Sequence, residues 1–187
     1  MKAVVKVVAA TVMVMGVANF ANAMGSNTGT VNFTGTIEDS PCSIVVGDEH
    51  QTVNLGHIGT GSLMGGKSSS MVNFKIGLEN CAFTTETTMS TVFTSTGNES
   101  TANPGNVALM RVGGGEMKGS SLIIGDFKGN PIELTNASAQ ALALDSTGVG
   151  QANQQLNFKA WVQGDAAAST IDVGEFNSLV NFTISYL

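Results

Sequence analysis

Few residues of this chain are of types that do chemistry, and their spacing narrows the options. Gly61-Ser62-Leu63-Met64-Gly65-Gly66-Lys67-Ser68 fits G-x-x-x-x-G-K-S, in which backbone amides and a lysine cradle phosphates. That chemistry needs a strand before the loop and a helix after it, so that the helix N-terminus faces the phosphates. Here Met71 to Leu78 follows, and it alternates as a strand. A carboxylate after an apolar run exists at Leu122-Ile123-Ile124-Gly125-Asp126, but no β-α-β alternation accompanies it. The stretch therefore reads as a flexible loop. His50 and His57, with Asp48 and Glu49 nearby, sketch a metal site without three convergent ligands, and they read as loop residues. No Gly-x-Ser-x-Gly elbow is present, and the adjacent acids Glu38-Asp39 and Asp48-Glu49 point to opposite faces if extended, so neither pair serves one site. These residues imply no catalytic group, no metal and no cofactor.

Cys42 and Cys81 are the remaining reactive pair, and what they do depends on where the chain goes. Lys2 and Lys6, the apolar run Val7 to Val17 and the small-x-small triplet Ala21-Asn22-Ala23 form a secretory leader over residues 1–23, with a mature start near Met24. The apolar run is too short to span a bilayer, which needs roughly 20 apolar residues, and no later stretch is a candidate. In an oxidising compartment an even pair of cysteines reads as one disulfide. Closing a loop of about 40 residues stabilises by about 4 kcal/mol in the chain-entropy model. Loss of Lys2 and Lys6 leaves six basic and fourteen acidic side chains, a formal charge of −8. With Arg111 the single arginine and the lysines scattered, no basic patch can neutralise a phosphate backbone, which excludes nucleic acid as a partner.

The elements that must position these residues are strands. Only 12% of the 187 residues are charged, against a usual quarter, which argues against a coiled coil or a charge-rich disordered chain. Apolar residues alternate at Val31, Phe33, Gly35, Ile37; at Val72, Phe74, Ile76, Leu78; at Leu156, Phe158, Ala160, Val162; and from Phe176 through Val180, Phe182 and Ile184 to Tyr186. Period 2 with β-branched and aromatic residues means strands with one buried face. Gly-rich turns separate them, as at Gly113-Gly114-Gly115 and Lys128-Gly129-Asn130-Pro131, so the pattern predicts an all-β antiparallel sandwich. Only Ala137 to Leu144 suggests a short helical turn. The last strand is expected to run unbroken from Phe176 to Tyr186, with no following strand to cover its edge. At the other end, Gly25 to Thr34 is a polar-spaced extended segment carrying Val31 and Phe33 on one side, ahead of the first cysteine.

These residues carry a family resemblance. Gly29-Thr30-Val31-Asn32-Phe33-Thr34-Gly35 leads to Pro41-Cys42; Phe74-x-Ile76-x-Leu78-x-x-Cys81 follows; then come Asp126-x-Lys128-Gly129-Asn130-Pro131-Ile132 and Gly174-x-Phe176 to the penultimate Tyr186. The sequence resembles a pilin subunit of the chaperone-usher class, the type 1 and P-like fimbriae of Gram-negative bacteria. The stretch Gly113 to Ser121 fits the pattern least well.

The resemblance implies an incomplete immunoglobulin-like sandwich lacking its final strand, completed by a donor strand from a neighbouring subunit. In that family a periplasmic chaperone first lends a strand and anchors the terminal carboxylate, here that of Leu187. An incoming subunit's N-terminal segment then replaces it at the outer-membrane usher, and head-to-tail donation yields a filament at the cell surface. Carried onto this chain, residues 24–35 are the donor extension, with Gly29, Val31 and Phe33 donated, and residues 36–187 are the pilin domain. Gly174, Phe176, Val180, Phe182, Ile184, Tyr186 and Leu187 form the acceptor groove and chaperone-binding end. The expected function is a non-enzymatic structural subunit of a fimbria that contributes to adhesion. Read from the residues alone, Val31 and Phe33 are equally an ordinary first strand, and a secreted adhesin or carbohydrate-binding module is the competing function.

Overall fold

The structure is a computed structural model and describes residues 27–187. The leader over residues 1–23, the start near Met24 and the first residues of the donor extension lie outside the described residues. The chain divides at Ile37, with Glu38–Leu187 forming the second unit.

Nine strands form the second unit: β1 Ser43–Ile44, β2 Val72–Glu79, β3 Thr88–Thr94, β4 Val107–Met110, β5 Glu116–Asp126, β6 Pro131–Ile132, β7 Ala137–Ala141, β8 Gln154–Gly164 and β9 Asn181–Tyr186. One sheet runs β1-β2-β8-β5-β4 with β6 on β5, and the other runs β7-β3-β9. Every ladder is antiparallel. The predicted alternation at Val72 to Leu78 and Leu156 to Val162 becomes the β2–β8 ladder, with Phe74 opposite Phe158 and Ile76 opposite Leu156. Phe93 of β3 crosses from the second sheet to meet Phe158 edge-on, centroids 5.0 Å apart, and Phe74 stacks on Phe158 at 5.4 Å. Around them Ile76, Leu78, Met89, Val107 and Leu156 form the main core. Leu63, Leu109, Met117 and Val162 form a second, smaller cluster against which Ile171 and Phe176 pack.

Three expectations are corrected. Ala137 to Leu144 holds no helix; its first five residues are β7, paired with β3 from Ala137 opposite Val92 to Ala141 opposite Thr88. Ladder bonds and half-burial outweigh the helical preference of alanine. The alternation from Phe176 to Tyr186 is not one strand. Phe176 bridges Arg111 beside β4, Asn177 donates to the Met110 carbonyl, and only from Asn181 does the chain join β3. One run of sequence thus serves both sheets, which period 2 cannot disclose. Residues 27–37 carry no strand despite their alternation, because a face in sequence becomes a strand only with a neighbour to pair with.

The phosphate-loop look-alike is a loop, yet it is pinned rather than free. Thr60–Ser62 make a single 3-10 turn, Leu63 is buried in the second cluster, and β2 rather than a helix follows. Gly164 must be glycine here, since a Cβ would overlap the Leu63 carbonyl.

Candidate functional site at the open edge of the last strand

β9 pairs with β3 from Asn181 opposite Thr94 to Tyr186 opposite Met89, and it ends the order of its sheet. Just past it, Leu187 donates its N–H to the Thr88 carbonyl at 2.9 Å and accepts from the Thr88 N–H at 3.0 Å, a doubly bonded pair. In an antiparallel ladder such pairs alternate with unbonded ones. Ser185, Thr183 and Asn181 therefore direct their backbone groups to β3, whereas those of Phe182, Ile184 and Tyr186 point to the free edge. The same three side chains are half-buried and, with Val180, pack on the main core. The site thus combines a backbone edge that no strand pairs among the described residues with an apolar face only partly withdrawn from water.

Its ends differ in construction. At the Tyr186 end the phenol sits near the Phe83 ring, with centroids 6.2 Å apart. Burial pushes its pKa up, the Ser40 hydroxyl works against that, and the Glu38 charge adds to it. The Leu187 carbonyl also accepts from the Thr87 N–H at 2.6 Å, while its side chain is exposed. The preceding turn is tied by the Glu86 carboxylate, held down to about 2 first by the Thr84 N–H and then by its own and that of Thr85. Cys42 and Cys81 form the expected disulfide at this same end, where Ser43 pairs with Glu79.

At the Phe176 end, Gly174 has φ +139°, and a Cβ there would come within 3.1 Å of Arg111 Nη1. The Arg111 guanidinium donates to the Val173 carbonyl and to Asp172 Oδ2, both at 3.0 Å. Asp172 Oδ2 also accepts from the Lys118 N–H at 3.1 Å. This clamp holds the crossing segment against β4. Neither Arg111 nor β3 stood out in the sequence. β3 carries the legible alternation Met89, Thr91, Phe93, but Arg111 offered only its singularity.

Of the expected donor residues, Val31 is 72% and Phe33 is 88% exposed, and a Cβ on Gly29 would meet nothing within 4 Å. Of the expected acceptor residues, Val180, Phe182, Ile184 and Tyr186 pack on the main core and Phe176 on the second cluster. His50 and His57 are not joined by further ligands into a metal-holding group among the described residues. Asp126 spends its carboxylate on the Lys128 and Asn130 N–H groups of its own turn.

Comparison with known proteins gives this geometry a context. Residues 31–187 match the fimbrial protein family. The chain is 37% identical over 181 residues to Fimbria A protein of Serratia marcescens, covering 97% of each chain, and 37% identical over 171 residues to the major MR/P fimbria protein of Proteus mirabilis, covering 91% of this chain and 90% of that one. Among solved structures it is similar to a chaperone-usher pilus chain, with TM-score 0.69, 22% identity, and 89% of this chain and all of that chain covered. It is also similar to the P pilus rod subunit PapA, with TM-score 0.62, 20% identity, and 79% of this chain and 100% of that chain covered. At these identities the structures speak for the immunoglobulin-like pilin fold.

Proposed function

Since the chain belongs to the fimbrial protein family, as a chaperone-usher pilin and structural subunit of fimbriae on the cell surface, we propose that it polymerises head to tail by strand donation. Residues 1–23 are a leader, residues 24–35 the donor extension and residues 36–187 the pilin domain. Gly29, Val31 and Phe33 of one copy enter the groove of the next beside Phe176, Val180, Phe182, Ile184 and Tyr186. Before that, a periplasmic chaperone occupies the same edge and engages Leu187, with Gly174 at the groove's far end, and the outer-membrane usher is where the exchange takes place. The family is a structural one, and the chain has no catalytic activity of its own; adhesion is a property of the assembled fibre.

The observation that supports the reading is the coincidence at β9. The residues whose backbone groups point outward, Phe182, Ile184 and Tyr186, are those whose side chains need covering, so one added strand satisfies both demands. A subunit supplying Val31 and Phe33 contributes on the order of 1.5 to 3 kcal/mol for each side chain buried.

The test is a charge on the donated face. Phe33→Asp places a carboxylate in an apolar groove, which costs more than the strand's bonds return. Fibres are expected to vanish while chaperone-bound subunit still accumulates, and Asn32→Asp, on the opposite face, is expected to be mild. Equal effects of the two changes on fibre yield would overturn the reading.

A further inference from the structure

We propose that the outer face of the larger sheet, at Lys75, Lys128 and Lys159, binds a sulfated glycosaminoglycan chain. The surface belongs to a single subunit and lies on the sheet that does not contain β9, so it is independent of strand donation. The six basic side chains that follow the leader are scattered in the sequence, and the fold gathers three of them. Phe74 and Ile76 of β2 and Leu156 and Phe158 of β8 face the core, which turns the positions between them outward. There Asn73 is opposite Lys159 and Lys75 is opposite Asn157, so the two lysines are diagonal neighbours about 7 to 8 Å apart. Lys159 is also opposite Gly125 of β5, whose following turn folds back over it: a Cβ on Gly129 would come within 3.9 Å of Lys159 Cδ and 3.1 Å of Met71 Sδ. That turn carries Lys128, with its Nζ 5.4 Å from the Phe127 ring centroid.

These lysines are gathered without carboxylates to answer them. The chain has fourteen acidic side chains, yet among the described residues Arg111 with Asp172 is the one ion pair. The acids beside the cluster are committed to backbone donors. Asp126 Oδ1 accepts from the Lys128 and Asn130 N–H groups, and Asp48 Oδ2 accepts from the Gly77 N–H at 2.7 Å. Lys75 Nζ meets a neutral acceptor, Gln155 Oε1, at 3.5 Å. The formal charge of −8 does not forbid an anionic partner, since charges farther off than about 8 Å are largely screened at physiological salt. Ammonium groups this close, set among the amides of Asn73, Gln155 and Asn157, fit a partner with negative groups on adjacent sugars and hydroxyls between them. A sulfated chain has both, whereas the carboxylates of an unsulfated chain such as hyaluronan are spaced more widely.

The test is titration of the purified mature subunit with heparin, hyaluronan and single-stranded DNA over a range of salt concentrations. Heparin is expected to bind about tenfold tighter than either of the others. Lys75→Gln with Lys159→Gln is expected to weaken heparin binding about tenfold and to lower the slope of log affinity against log salt by about 1.5, the loss of two charge contacts. Lys128→Gln, in an exposed turn, is expected to weaken it about threefold, and Lys75→Arg with Lys159→Arg to retain it. Lys67→Gln with Lys118→Gln makes the same change in net charge at the other end of the sheet and is expected to leave affinity and slope unaltered. Equal losses from the two glutamine pairs would assign binding to overall charge and overturn the proposal. Hyaluronan or DNA binding as tightly as heparin would make the face a general anion contact and overturn it too, and absence of heparin binding overturns it outright. Fibres of the Lys75→Gln, Lys159→Gln variant are expected to assemble normally, so failure here leaves strand donation standing.

Discussion

Leu156, Phe158, Ala160 and Val162 in β8 and Val180, Phe182, Ile184 and Tyr186 at the end of the chain are the same alternating pattern written twice, and the fold treats them differently. β8 is paired on one side to β2 and on the other to β5, and its four inward residues are at most 6% exposed. Among the described residues β9 has β3 on one side and no strand on the other, and its inward residues stay half-buried against the same core. Burial of a strand face therefore depends on how many neighbours the strand has, because each adjoining strand shields its side chains laterally as well as satisfying its backbone. β8 is the finished version of what β9 would be with one strand more.

The most forceful way to break the comparison is to truncate one phenylalanine from each strand. Phe158→Ala removes a ring packed on Phe74 and Phe93, and it is expected to destabilise the subunit by about 3 to 5 kcal/mol. Phe182→Ala, already half in water, is expected to lose about 1 kcal/mol in the free subunit. Denaturant unfolding of both variants measures the gap, and comparable losses would show that β9 is as complete as β8.

Of similar size is the effect of the disulfide, which closes the Tyr186 end of the sandwich unit. Replacing Cys42 and Cys81 together by serine is expected to remove about 4 kcal/mol, for a loop of 39 residues, and to leave little subunit in the periplasm. Normal abundance of the double variant on an immunoblot would contradict it. A further rise in abundance when the groove is filled by donor peptide would tie the two deficits together, since a ligand of the folded state stabilises by mass action.

The smallest effect sharpens the comparison residue by residue. Amides of Phe182, Ile184 and Tyr186, which point to the open edge, are expected to exchange with solvent far faster than those of Thr183 and Ser185 beside them or of Leu156 and Phe158 in β8. Excess peptide of residues 25–35 is expected to slow those three selectively. Uniform protection along β9 in the free subunit would mean that its outer edge is already paired.

Much of the fold was legible in the sequence because period 2 is a local property. Val72 to Leu78 and Leu156 to Val162 announce strands with a buried face, and two cysteines in a chain that reads as exported announce their bridge. Where the reading failed, the missing quantity was a neighbour. Ala137 to Ala141 has alanine enough for a helical turn and becomes a strand because β3 lies alongside. The run from Phe176 to Tyr186 alternates without a break, although Phe176 answers to Arg111 at one sheet and Tyr186 to Met89 at the other. Arg111 itself, which clamps Val173 and Asp172 and comes within 3.1 Å of where a Cβ on Gly174 would sit, has no local signal at all.

The sequence by itself determined which residues have an apolar face, that the chain is exported, that its cysteines pair and which family it resembles, since each rests on residue type and spacing. Only the tertiary structure decided that Phe182, Ile184 and Tyr186 turn both their side chains to the core and their backbone groups to an open edge. It also decided that Phe176 serves a second cluster apart from theirs. The reason is physical: alternation states that a face will be buried, whereas what buries it, and how completely, is a property of strands brought together from distant parts of the chain.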